Sequence, residues 1–211
     1  MPPCRPASTP TVASTTAAWT STVCVSPALA DRYRLVAPDC PGFGHSDFPP
    51  VDRFDDTFDG YAALMKKFTR AVALRRYALY LQDYGGPVGM RLALAAPERV
   101  DALIIQNSNA YLDGLGETLA PLQAYWRDDS PENRQVIRNW FSLEGMRLNY
   151  TTGMPAQQIE LLSPDTWHLD WAGMSRPGNI ECSWTCFTTT ARICASTRSS
   201  RPISASISRA R

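Results

Sequence analysis

The chain has 211 residues, enough for one fair-sized domain with a substantial core. Its 21 basic residues against 20 acidic ones leave no electrostatic footprint for nucleic acid or an anionic membrane surface. No run approaches the roughly 20 apolar residues of a membrane span, and residues 1–28 lack a hydrophobic stretch behind a basic start, so no secretory leader is expected. The six cysteines, Cys4, Cys24, Cys40, Cys182, Cys186 and Cys194, have only two histidines to work with. Their spacing fits neither a redox pair nor a zinc site, so a reduced, cytoplasmic protein without a cysteine-held metal is expected.

In chain order, residues 1–28 are rich in Pro, Ser, Thr and Ala with no hydrophobic period, and read as a low-complexity, disordered segment. "RYRLVAP" reads as a short buried strand, and "PDCPGFGHSDFPP" after it as a Pro/Gly loop. Between 57 and 74, Phe58, Tyr61, Leu64, Met65, Phe68 and Val72 recur at helical spacing. "YALYLQ" is a second strand, "GPVGMRLALAAPE" a helix and "VDALIIQNS" a third strand. This alternation predicts an α/β core over 29–114, a mostly parallel sheet with crossover helices. From 115 to 179 only helical patterns follow, as expected of a helical cap. Residues 180–211, rich in Ser, Thr and Arg, show no period and read as a disordered basic tail.

At "LQDYGGPVGM" a strand meets an aspartate, two glycines and a helix start without a gap. A strand–turn–helix corner of this kind presents a nucleophile on a strained turn. Pro87 suits the first turn of the helix, whose positive end is expected to hold the Asp83 carboxylate ionised. The competing role for Asp83 is a plain helix cap.

"YRLVAPDCPGFGHSDFP" and "YALYLQDYGGPVGMRLALAAPERVDALIIQN" together resemble the α/β-hydrolase superfamily, in its aspartate-nucleophile branch of haloalkane dehalogenases and epoxide hydrolases. The resemblance spans residues 27–179 and includes the helical segment. It implies that Asp83, with no metal or organic cofactor, attacks a saturated carbon to give an alkyl-enzyme ester, which activated water then hydrolyses. It also implies that the backbone N–H of Tyr84 forms half of an oxyanion hole, and that Tyr150 is a candidate to protonate an opening epoxide oxygen. Trp126, Trp140, Trp167 and Trp171, with Phe141, would wall a pocket for a small apolar organic substrate, although packing in the cap is the commoner fate of such aromatics.

Several family parts have no match. The histidine of a triad is expected near the chain's end, whereas His45 lies in the Pro/Gly loop and His168 in a helical segment. Asn107 stands where some dehalogenases carry the triad acid, and the second oxyanion-hole loop, expected before "SPALADRY", is not recognised. Read one base out of phase from about Glu181, with third positions chosen freely, the codons give "IEVQLDLFYDYRANLRLYPEFQAYFRE", which carries helical periodicity. The tail is therefore expected to be a frameshift product, the sheet to be partial with exposed edges, and turnover to be impaired. A catalytically inactive binding protein and a non-functional gene product are the alternatives. The sequence leaves the oligomeric state open.

Overall fold

The computed structural model describes residues 10–14, 28–47, 49, 53–108, 115–181 and 183–185. The chain divides into two compact units, one holding the described residues up to 108 and the other those from 115 onward.

The first unit is built on a parallel sheet of strands β1 (Thr11–Ser14), β2 (Arg34–Val36), β3 (Tyr77–Gln82) and β4 (Val100–Gln106), in the spatial order β2-β1-β3-β4. Val12 pairs with both Leu35 and Ala78, so β1 is an interior strand. This differs from the expectation of a structureless segment through residue 28 and of a three-stranded core. The run "TVAS" is short and sits among the same small residues that surround it, so neither periodicity nor composition marks it. Its place is fixed by partners far along the chain.

Helix α1 (Phe58–Ala71) lies between β2 and β3 in the chain. Thr57 caps it by accepting from the Gly60 N–H at 3.1 Å, as an N-cap threonine does. Its apolar stripe buries Phe58, Tyr61, Ala62 and Met65. Helix α2 (Gly85–Ala95) joins β3 to β4 and buries Gly85, Gly86, Val88, Gly89, Met90, Leu92 and Ala93. A helix apolar nearly all round is one that packs on the sheet rather than facing water.

β3 is the best-covered strand, with Tyr77, Leu79 and Leu81 fully buried. β4 is not. Its run "VDALIIQ" has the continuous apolar character of a strand covered on both faces, yet Ile104 and Ile105, which point to opposite faces, are 46% and 51% exposed. Among the described residues β4 pairs on one side only, in the manner expected of an open edge. Asp101 is the extra residue of a bulge, since Tyr77 pairs with Val100 and Ala78 with Ala102.

The second unit is helical: α3 (Ala120–Arg127), α4 (Pro131–Trp140), α5 (Leu143–Thr151), α6 (Ala156–Ile159) and α7 (Asp165–Met174). Ser130 and Ser142 cap α4 and α5. Leu122, Tyr125, Ile137 and Phe141 form its core, with Trp126, Trp140, Met174, Ile180 and Trp184 packed against them. The described residues 179–181 and 183–185 are helical as well, and the Trp184 ring meets Tyr125 edge-on at 5.2 Å. Ordered structure thus runs past the expected boundary at 179, because Ile180 and Trp184 stand one helical turn apart and reach the same core.

Candidate active site

The strand order reverses direction between β1 and β3: from β1 the chain moves outward to β2, then returns past β1 to β3 and β4. Parallel α/β sheets bind ligands outside the carboxyl ends of the strands at such a switch point. Asp83 stands directly after β3, at that place.

The corner is sharp. Asp83 has φ +46°, a left-handed conformation that a side chain resists and that Asp and Asn tolerate best. Tyr84 is already right-handed at φ −55°, ψ −26°, and α2 begins at Gly85. The Gly86 N–H donates to the Asp83 carbonyl at 2.9 Å and closes the turn. Gly85 and Gly86 are both buried, which lets helix and strand approach closely.

The Asp83 carboxyl accepts no hydrogen bond from the described residues, and α2 has no side-chain cap, so Asp83 is not a helix cap. Protein surrounds the carboxyl closely enough that desolvation pushes its pKa up to about 6. The residue is nevertheless exposed at its surface. Water that reaches the charge weakens this effect, so the upward direction is firm and its energetic weight is reduced. Desolvation is the cause that sets the upward direction. The group is still mostly ionised at neutral pH.

The Pro/Gly loop packs beside the corner. Gly42 and Gly44 have φ +82° and +55°, and a Cβ on Gly44 would fall 2.1 Å from the Asp39 Cγ. Asp39 holds the loop by accepting from the His45 N–H at 2.9 Å and from the Ser46 hydroxyl, through its carbonyl, at 2.7 Å. Phe43 and Phe58 then bracket the Tyr84 ring with centroids at 6.1 and 5.5 Å. The ring of Tyr84 is thereby anchored to the loop and to α1, which fixes the peptide that follows Asp83.

The remaining candidates belong to the helical unit. The Tyr150 hydroxyl donates to the Asp170 carboxylate, whose pKa is raised by desolvation and drawn back by that bond. Trp126 and Trp140 pack on the Leu122 core, Trp167 is buried and Trp171 half-buried. Packing accounts for Trp126, Trp140 and Trp167. His168 lies exposed on α7. The stretch expected to carry the second oxyanion donor, before "SPALADRY", lies outside the described residues. Among the described residues no group of three His, Cys, Asp or Glu side chains could hold a metal ion, and no helix is long and apolar enough to cross a membrane.

The family model of the α/β-hydrolase fold matches residues 10–142. The chain belongs to the α/β-hydrolase fold family. This α/β-hydrolase is 33% identical over 159 residues to the hydrolase YNR064C of Saccharomyces cerevisiae, covering 74% of this chain and 53% of that protein. It is 38% identical over 134 residues to haloalkane dehalogenase 2 of Mycobacterium tuberculosis, covering 63% and 45%. The chain spans about half the length of the curated relatives it matches. Among solved structures, Cfl2 of Burkholderia cenocepacia superposes with a TM-score of 0.68 at 22% identity, over 92% of this chain and 67% of that one. A Pseudomonas aeruginosa protein assigned as an epoxide hydrolase gives 0.66 at 20% identity, over 90% and 66%.

The strand–turn–helix corner is legible in the sequence, and Asp83 and Tyr84 stand at it. Ser108, whose hydroxyl donates to the Asp83 carbonyl, was not foreseen, because a serine after a strand carries no signal of its own. Asp170, which accepts from Tyr150, was not singled out because an aspartate within a helix carries no signal of its own. Trp184 could have been found from its spacing to Ile180.

Proposed function

We propose that this α/β-hydrolase acts on small apolar alkyl halides or epoxides through Asp83 as nucleophile. A carboxylate oxygen attacks the saturated carbon as the carbon–halogen or epoxide carbon–oxygen bond breaks. The electron pair leaves with the halide or with the ring oxygen, and Asp83 becomes an alkyl ester. The observation that carries this reading is a left-handed aspartate at the strand-order switch whose carboxyl accepts no hydrogen bond from the described residues. Strain held at such a place points to function rather than to packing. A raised pKa strengthens the case, because a partly desolvated carboxylate is the better nucleophile. In this scheme the Tyr84 N–H serves as an oxyanion donor only in hydrolysis of the ester, where a tetrahedral oxyanion forms.

Hydrolysis of the ester requires a base for water, and neither His45 nor His168 matches the family position for it. The reaction is therefore proposed to halt at the ester, with one alkyl group per chain. Incubation with 1-bromohexane and with styrene oxide, followed by intact-mass measurement and peptide mapping, tests this. A single stoichiometric adduct on Asp83 is expected with at least one reagent; a chain unmodified at Asp83 by both would refute the nucleophile, and multiple turnovers would refute the halt.

A further inference from the structure

Three non-glycine residues among those described have positive φ, and two of them, Asp83 and Asn107 at +46° and +45°, follow the neighbouring parallel strands β3 and β4. The two are joined. The Asp83 N–H donates to the Asn107 carbonyl at 3.2 Å, and the Ser108 hydroxyl donates to the Asp83 carbonyl at 3.2 Å. That carbonyl also accepts from Gly86. Both main-chain polar groups of the strained residue are thus engaged, and two of the three bonds come from residues 107 and 108.

A residue stays in a sparsely populated conformation only where its surroundings over-determine it. Gly86 cannot do this alone, since the turn it closes moves together with Asp83. β4 supplies the independent anchor. The Asn107 carbonyl continues the β3–β4 ladder one step beyond Gln82 and Gln106, and the left-handed turn at Asn107 brings Ser108 back within reach of Asp83.

We infer that Ser108 is a positioning residue for Asp83: its hydroxyl, with the Asn107 carbonyl, clamps the corner so that the carboxylate is held in its attacking geometry. The inference rests on the proposed role of Asp83 as nucleophile. It assigns no proton transfer to Ser108, whose effect passes through the backbone.

The test uses the full chain with Ser108→Ala and Ser108→Thr. The rate of adduct formation at Asp83 with 1-bromohexane and styrene oxide is read by mass spectrometry, and amide hydrogen exchange is read at Asp83 and Gly86. Loss of one neutral hydrogen bond corresponds to a change between about twofold and about tenfold. Ser108→Ala is expected to slow alkylation and speed exchange at these two amides within that range, with exchange along α1 unchanged. Ser108→Thr, which retains the hydroxyl, is expected to restore both. Unchanged exchange in Ser108→Ala overturns the clamp, and faster exchange with an unchanged alkylation rate overturns its positioning role. A wild-type chain that forms no adduct refutes the nucleophile instead, and exchange alone then decides on the clamp.

Discussion

Replacing Asp83 by asparagine removes one ionisable group and leaves the backbone requirement in place, since both residues visit the left-handed region. Desolvation moves the carboxyl from 3.8 to about 6. Roughly two pKa units at about 1.4 kcal/mol each would amount to about 3 kcal/mol for a wholly buried group. Because the residue is exposed at its surface, about 1 kcal/mol is the working figure. The sign follows from proton binding: the folded chain holds this proton more tightly than the unfolded chain, so stability falls as pH rises from about 4 to about 6. Above that the penalty is constant. Asp83→Asn is therefore expected to stabilise the protein by about 1 kcal/mol at pH 7.5, a gain of roughly 2–4 °C in Tm for a chain of this size, and by almost nothing at pH 4. Asp83→Ala removes the same charge but resists the left-handed conformation, and is expected to fall about 1 kcal/mol below the asparagine variant. Urea unfolding at both pH values measures all three chains. An equal effect of Asp83→Asn at pH 4 and 7.5, or a loss of stability at pH 7.5, would show that the carboxylate is not desolvated.

Alkylation of Asp83 should follow the ionised fraction, rising through pH 6 and falling about tenfold per unit below it; a flat profile between pH 4.5 and 7.5 speaks against a carboxylate nucleophile with a raised pKa. Gly44→Ala should cost about 2 kcal/mol, since it strains a φ of +55° and drives a methyl into Asp39; denaturant unfolding reads it. Ile137, fully buried in the helical core, should lose about 3 kcal/mol on truncation to alanine. Ile105→Lys should leave the fold intact and reduce aggregation measured by light scattering, because a lysine on an open edge strand discourages pairing with another chain.

The sequence made the β3–α2–β4 run readable because these elements follow one another and each carries its own period. The corner at Asp83 could be read from four letters, since an aspartate before paired glycines at the end of a strand marks a strand–turn–helix turn. β1 could not be read: four residues give no period, and its identity as a strand comes from hydrogen bonds to Arg34–Val36 and Ala78–Tyr80. The tail misled by composition, which averages over Ile180 and Trp184 and hides the apolar side chains that pack. The raised Asp83 pKa was not legible, because a helix start can be seen in a sequence, whereas the density of protein around a carboxyl cannot.

The position of β1 also bears on the order in which the molecule can assemble. Val12 joins Leu35, 23 residues later, but must wait for Ala78, 66 residues later, before its other side is paired. At a synthesis rate of about 5–20 residues per second, that wait lasts roughly 3–13 s. During it the β1–β2 pair has an open flank, while β3, α2 and β4 can meet soon after they emerge, being close in sequence. Ribosome-bound chains stopped before β3 should therefore be cleaved readily around residues 10–14, and protection there before β3 emerges would contradict this order. Among the described residues the interior strand β1 is the earliest in the chain, and its site beside β3 is among the later contacts to close.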